Sequence, residues 1–255
     1  MAESDRPEVF VHLLPALIPP DALRGGVAVV VDVLRATTVM VHALEAGCVA
    51  ILPCGEIDQA QAAVDALPAG SALLAGERQG LPIDGFDLGN SPGDFTPDVC
   101  RGKTLVMTTT NGTRAILASR GAERVAVAAP ANADAAAEWA RSSGLDVHVV
   151  CAGTDGRVSL EDTLLAGELA DKLSRSSGYV YGNDEAVIAA GLYRDSAATA
   201  RDEGASWADL LARGRGGRRV RQIGLARDVE EVARWNWSRV VPVLRGNPPR
   251  LVKAD

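Results

Sequence analysis

The sequence predicts an α/β protein built on a largely parallel sheet. Two observations carry this reading: short runs made almost wholly of Val, Ala, Ile and Leu, as in strands buried on both faces, and the order strand, helix, strand, helix, strand, which occurs twice. In the first unit residues 27–32 form a buried strand, and residues 35–38 lead into a helix over 39–46 that Gly47 ends. Residues 49–52 are the next strand. A helix through 58–67 then leads past Pro68 and Gly70 to a strand over 71–75 and a loop over 76–80.

The second unit opens at Lys103. Its strand over 104–107 is followed by the loop Thr108-Thr-Thr-Asn-Gly-Thr113, a helix over 114–119 and Gly121. A strand over 125–128, a helix over 134–142, a strand over 146–150 and a loop over 151–156 complete it. Thr37 and Thr113 lie 76 residues apart and Gly76 and Gly153 lie 77 apart. Duplication of one unit, over about 27–80 and 103–157, is the economical explanation within a single domain spanning 1–255. Beyond it, Ser159-Leu-Glu161-Asp162 opens a long helix to about Arg175. An apolar segment near 186–192, a weaker helix near 207–212, a basic loop over 213–221, a helix from about Asp228 and a strand-like stretch over 240–244 close the chain.

Composition excludes several functions. At 255 residues and 47% hydrophobic content the chain has a sizeable core, and it is expected to fold alone or as a homo-oligomer. A net charge of -7 argues against nucleic-acid or anionic-membrane binding by the surface as a whole. No apolar run reaches the roughly 18 residues of a membrane span. The opening Met-Ala-Glu-Ser-Asp lacks the basic and apolar parts of a signal peptide, so a cytoplasmic address is expected. Four scattered cysteines without a C-x-x-C pair read as reduced thiols, and three histidines rule out H-E-x-x-H zinc chemistry.

Ligands of open parallel sheets sit outside the carboxyl ends of the strands, and polar, glycine-containing loops fall there four times, at 32–38, 76–80, 108–113 and 151–156. Asp32 ends a buried strand ahead of Arg35, Thr37 and Thr38. A carboxylate there can hold a metal or attack phosphorus, or it caps the helix and pairs with Arg35. The loop Thr108–Thr113 offers hydroxyls, the Asn111 carboxamide and Gly112 to phosphate oxygens, although an Asn-Gly corner is also an ordinary turn. The punctuated stretch from Gly76 to Pro97 has the length of a lid or binding loop. Ser159 with Asp162 fits a capping box, and Glu161 beside Asp162 gives two acidic groups able to hold Mg²⁺. Cys151 at a strand end is either a nucleophile or a packed thiol.

Four blocks in this order resemble the 2-phosphosulfolactate phosphatases: Asp32-Val-Leu-Arg-Ala-Thr-Thr38; Gly76-Glu77-Arg78 with Gly85-Phe-Asp-Leu-Gly-Asn90-Ser91-Pro92; Thr108-Thr-Thr-Asn-Gly-Thr113; and Cys151-Ala-Gly-Thr-Asp-Gly156 with Ser159-Leu-Glu-Asp162. The resemblance implies a three-layer α/β/α fold and Mg²⁺-dependent removal of phosphate from 2-phospho-3-sulfolactate, on the route to coenzyme M. It implies Asp32 and Glu161 as catalytic residues with Cys151 as the alternative nucleophile, and Asp32, Glu161 and Asp162 as metal ligands. It further implies that the small anionic phosphoester is bound by Arg35, Thr37, Thr38, Glu77, Arg78, Asn90, Ser91, Thr110, Asn111, Gly112, Thr113, Arg114 and Gly153. Among these, Arg35, Arg78 and Arg114 are expected to divide the anionic groups.

Two alternatives stand beside this one: a phosphatase for another small phosphorylated hydroxy acid, and a non-catalytic small-anion-binding protein. A nucleic-acid site on Arg213–Arg221 is less favoured than a solvated loop, because no aromatics interleave with the arginines.

Overall fold

The computed structural model describes residues 6–255, and of Ser177 only the backbone. The expectation drawn from Met1–Asp5 therefore lies outside the described residues. Strand β1 (Glu8–His12) precedes the first unit, which runs β2 (Val27–Val31), α1 (Ala36–Glu45), β3 (Ala50–Cys54), α2 (Ile57–Asp65) and β4 (Ala72–Arg78). A short β5 (Leu81–Pro82) and α3 (Pro97–Cys100) separate it from the second, β6 (Thr104–Thr108), α4 (Gly112–Ala118), β7 (Arg124–Ala128), α5 (Ala133–Arg141) and β8 (Val147–Cys151). Then follow α6 (Leu160–Ser177), β9 (Val180–Tyr181), α7 (Asp184–Glu203), α8 (Trp207–Ala212), α9 (Arg215–Gln222), α10 (Ala226–Val232), β10 (Pro242–Arg245) and β11 (Arg250–Lys253).

Among the described residues the strands form one sheet in the order β5-β4-β6-β3-β11-β10-β7-β2-β8-β1-β9. It is parallel except for the β4–β5 pair and the β10–β11 hairpin, which pairs antiparallel with both of its neighbours. Central strand β2 shows why the sheet lies between layers. Val27, Val29 and Val31 join the core packed under α5 and α6, while Ala28 and Val30 join the core packed under α1 and α4. All five are buried, and each fully buried Val contributes about 1.5–3 kcal/mol relative to exposure. Helix α2 covers β4 and β6 through Ala60, Leu74 and Val106. The architecture is the expected α/β/α.

The two units interleave. Strand β2 lies between β7 and β8, and β6 lies between β3 and β4, so the first strand of each unit sits between the second and third strands of the other. The registers match: Val31 stands opposite Ala128 and Cys151, and Thr108 opposite Cys54 and Gly76. In space, then, the counterpart of Gly76 is Cys151 rather than Gly153.

Several expectations need correction. Residues 213–221 are not a loop: Arg215–Gln222 form α9, whose Gly216, Gly217 and Val220 are buried while its arginines face outward from that packing. Gly76, Glu77 and Arg78 belong to β4 rather than to a loop, because β4 continues past the apolar run into pairing with β5. The apolar stretch near 186–192 is part of the 20-residue α7, which the Asn183 side chain caps by accepting from the Ala186 amide at 3.2 Å. Strands β1 and β11 were not anticipated from their short, half-polar sequences. No described helix is long and apolar enough to cross a membrane.

Candidate active site

A cavity of about 560 Å³ opens at the carboxyl ends of the strands, where β2, β4 and β6 deliver their following residues. Asp32, Glu77, Asn90, Thr110 and Asn111 form part of its wall, and α9 forms another part through Arg215, Arg218 and Arg219. Positions 215, 218 and 219 share one helical face by their spacing. Sequence reasoning missed these three, because it took the segment for a loop; the spacing of the arginines was the signal that marks them as one face.

Asp32 extends directly from β2 and is 7% exposed. Its Oδ1 accepts weakly from the Ala36 amide at 3.4 Å, at the start of α1. Gly112 is required opposite it: a Cβ there would lie 2.7 Å from Asp32 Oδ2, so only glycine lets α4 begin so close. Thr37 and Thr38 do not face the cavity. Thr37 Oγ1 accepts from the Asp32 amide and donates to the Asp32 carbonyl, both at 2.9 Å, and Thr38 Oγ1 donates to the Val33 carbonyl. The same lock recurs in the second unit, where Thr113 Oγ1 accepts from the Thr109 amide at 3.2 Å and donates to the Thr109 carbonyl at 3.1 Å. The hydroxyl density of the threonine loop thus serves largely to fold the loop on itself.

Two buried carboxylates clamp these turns reciprocally. Glu77, from the first unit, accepts from the Thr110 and Gly80 amides at 2.8 and 2.7 Å. Asp162, just after the second, accepts from the Val33 and Gly153 amides at 2.8 and 3.0 Å. Arg35 is equally committed. Its guanidinium donates to Asp228 at 2.6 Å, Ser91 at 3.2 Å and the Gly80 carbonyl at 2.7 Å, tying the 76–97 segment and α10 to the end of β2. Breaking such a buried pair from one side costs about 3–5 kcal/mol. Asp228 was absent from the sequence-based set, since nothing local marks it. Arg78 turns to Thr108 Oγ1 at 3.0 Å, and Arg114 forms an exposed pair with Glu56 at 2.8 Å, so neither belongs to the cavity wall. Gly153 lies behind the site against Leu14 and the Arg157 carbonyl.

Burial and crowding govern the acids. Asp32 is pushed up to about 7, first by burial and then by the Glu77 charge. Glu161 is raised chiefly by burial, opposed by its own backbone amide, Ser159, Gly216 and Arg218, although no donor reaches hydrogen-bond geometry with either of its oxygens. Asp162 is raised well above the carboxylate range by burial and by Asp32. Cys151 is wholly buried in the core under α6, and burial pushes its thiol well above the usual value, so the expected alternative nucleophile is not at the cavity wall.

Two unpartnered buried polar atoms, Asn90 Oδ1 and Thr110 Oγ1, belong to residues of the cavity wall, and both Glu161 carboxylate oxygens, buried against Gly214 and Gly216 of the α9 start, also lack partners. Such atoms mark places where a ligand, ion or water completes the structure. Hard oxygen donors with free lone pairs on Asp32 and Glu161 suit Mg²⁺, which takes one or two carboxylates and fills its remaining positions with water and phosphate oxygens. The expected third ligand is otherwise engaged, as Asp162 gives one oxygen to each of two amides. No described group of three or more His, Cys, Asp or Glu side chains converges as a ready-made metal cage.

The sequence model described as 2-phosphosulpholactate phosphatase matches residues 12–247. A relative from Deinococcus radiodurans, named probable 2-phosphosulfolactate phosphatase, is 40% identical over 227 residues, covering 88% of this chain and 90% of its own. Relatives of the same name from Microcystis aeruginosa and Symbiobacterium thermophilum are 41% and 37% identical, covering 73% and 89% of this chain and 78% and 94% of theirs. With the match running from the end of β1 to the loop after β10, the chain belongs to the 2-phosphosulpholactate phosphatase family.

Proposed function

We propose that the chain is an Mg²⁺-dependent phosphoric monoester hydrolase that releases phosphate from 2-phospho-3-sulfolactate in the cavity between Asp32 and α9. The observation that carries this reading is the opposition within one cavity of the Asp32 carboxyl group and a row of guanidinium groups. A substrate carrying three to four negative charges needs the second, and a cation held by the first would offset the charge of its phosphate. The names of the relatives supply the substrate.

In this reading Asp32 at the cavity wall, with the buried Glu161 carboxylate near it, would hold Mg²⁺, which would supply neutralisation of phosphate charge. The Thr110 hydroxyl, without a partner, can donate to a substrate oxygen, whereas the unpartnered Asn90 Oδ1 is an acceptor suited to a water or a cation. Without a metal, burial leaves Asp32 protonated up to near neutral pH, and Mg²⁺ bound there would displace that proton and hold the carboxylate ionised. Glu77 and Asp162 act by fixing the turns, and Arg35 by holding the 76–97 segment over the strand ends.

A phosphate-release screen over phosphorylated hydroxy acids, with Mg²⁺ and with chelator, tests this. Release from 2-phospho-3-sulfolactate that chelator abolishes is the expected result. Release from none of the esters, with binding of small anions retained, would instead favour a binding protein.

A further inference from the structure

Helix α9 carries Arg215, Arg218 and Arg219 on the face that lines the cavity. Such a stripe is normally the apolar one by which a helix packs, and like charges at these spacings repel. Here packing is left to the buried Gly216, Gly217 and Val220, of which Gly216 and Val220 also border the cavity. None of the three guanidinium groups meets a carboxylate within 4.0 Å among the described residues, although Arg221 on the same helix pairs with Asp209 at 3.7 Å. Arg218 donates to the Arg213 carbonyl and Arg219 to the Gln79 carbonyl at 3.2 Å, contacts that orient the side chains and leave further N–H groups free. In a protein of net charge -7 this is a local concentration of positive charge facing a cavity whose wall also carries Asp32, Glu77 and Asp155.

The helix is also fixed in place by the site itself. Gly214 and Gly216 close on the Glu161 carboxylate so tightly that a Cβ on either would collide with its oxygens. The helix that carries the arginines is therefore fixed against a buried acid of the site through its glycines.

We propose that Arg215, Arg218 and Arg219 form the specificity subsite of this enzyme, taking the sulfonate of the substrate while its phosphate lies toward Asp32. This inference rests on the phosphatase reading above and adds the residues that select the substrate class. A sulfonate presents three equivalent oxygens on a tetrahedral centre and can accept from more than one guanidinium, whereas one fork suffices for a planar carboxylate. The subsite selects phosphoesters that carry a second strong anion over simple phosphate monoesters.

The test compares 2-phospho-3-sulfolactate with 2-phospholactate, which has hydrogen in place of the sulfonate. Arg215→Gln and Arg219→Gln, each made separately so that one folded variant suffices, should lower kcat/KM for the sulfonate substrate ~10- to 100-fold through KM, as expected for a lost charged hydrogen bond. Turnover of 2-phospholactate should change little, and Arg221→Gln, which pairs with Asp209 instead, should alter neither. Equal losses on both substrates would overturn the proposal. Calorimetric titration with 3-sulfolactate alone gives a readout independent of turnover: if the wild-type protein hydrolyses neither ester, the phosphatase reading fails, and the subsite stands only if this dianion binds and Arg219→Gln weakens it. No binding of 3-sulfolactate by the wild-type protein overturns the subsite in either case.

Discussion

Asp32 is a carboxyl group whose surroundings work against its charge, and that cost is measurable. Its folded value near 7 stands above the ordinary carboxylate value of 3.8, so between these limits the folded protein keeps a proton that the unfolded chain releases. Stability is then lost as pH rises through this window, and the penalty is complete above about 7. Asp32→Asn in chelator should therefore be more stable than wild type at pH 8, by on the order of 2–4 kcal/mol, and should converge with it near pH 4. The same variant should lose phosphate release by ~100-fold or more, several kcal/mol of charge stabilisation by a bound cation being at stake. A variant no more stable at pH 8 would show that Asp32 is not strained, and one that keeps its turnover would show that Asp32 is not catalytic. Cys151 illustrates the opposite case. Its sulfur is packed among Val31, Val149 and Leu165 in the same core cluster, so Cys151→Ser should cost about 1–3 kcal/mol for a buried hydroxyl and leave turnover per folded molecule intact. Collapse of turnover in a folded Cys151→Ser protein would return the thiol to the chemistry.

Helix α9 is where the local sequence is least like its structure. Two adjacent glycines and five basic residues in nine make a poor isolated helix, and the stretch reads as a loop for that reason. Tertiary contact decides otherwise: the glycines are the only residues small enough to let α9 approach α8 and Glu161. Gly216→Ala places a methyl group on the Glu161 carboxylate, so despite the better intrinsic propensity of alanine it should destabilise the protein by about 1–3 kcal/mol and reduce phosphate release. Unchanged melting and activity would mean that Glu161 moves freely, and that the α9 contact does not order the site. Elsewhere the elements were legible. The all-apolar runs placed β2, β3, β6, β7 and β8 within a residue or two, and the helix starts at Ala36, Gly112 and Leu160 brought Asp32, Asn111 and Glu161 to the strand-end face. What stayed hidden was partnership: that Thr37 and Thr113 serve their own turns, that Arg114 finds Glu56 on the surface, and that Asp228 closes on Arg35 from 193 residues away. Those contacts depend on chain segments that sequence periodicity does not connect.

On the scale of the whole molecule, the interleaved sheet makes the site a joint product of both units. The matching registers, the paired threonine locks and the reciprocal clamps of Glu77 and Asp162 support a reading of the two units as copies of one ancestral β-α-β-α-β segment. Whatever their origin, neither unit has a core of its own, because β2 is flanked only by strands of the second unit and β6 only by strands of the first. The β10–β11 hairpin closes the remaining gap by pairing with β7 on one side and β3 on the other. Leu251 of β11 stands opposite Ile51 of β3 and is fully buried in the core cluster that also holds Ala28, Val125 and Leu105. Leu251→Ala removes side-chain contacts at this junction and should cost about 2–5 kcal/mol, lowering the melting temperature by several degrees. Because strands of both units cross the same sheet, the loss should appear as a shift of one cooperative transition by calorimetry, with the near-ultraviolet and far-ultraviolet dichroism changing together. Two separated transitions, with only one of them moved by Leu251→Ala, would show that the halves hold their structure independently and that the hairpin joins two folded bodies instead of completing one.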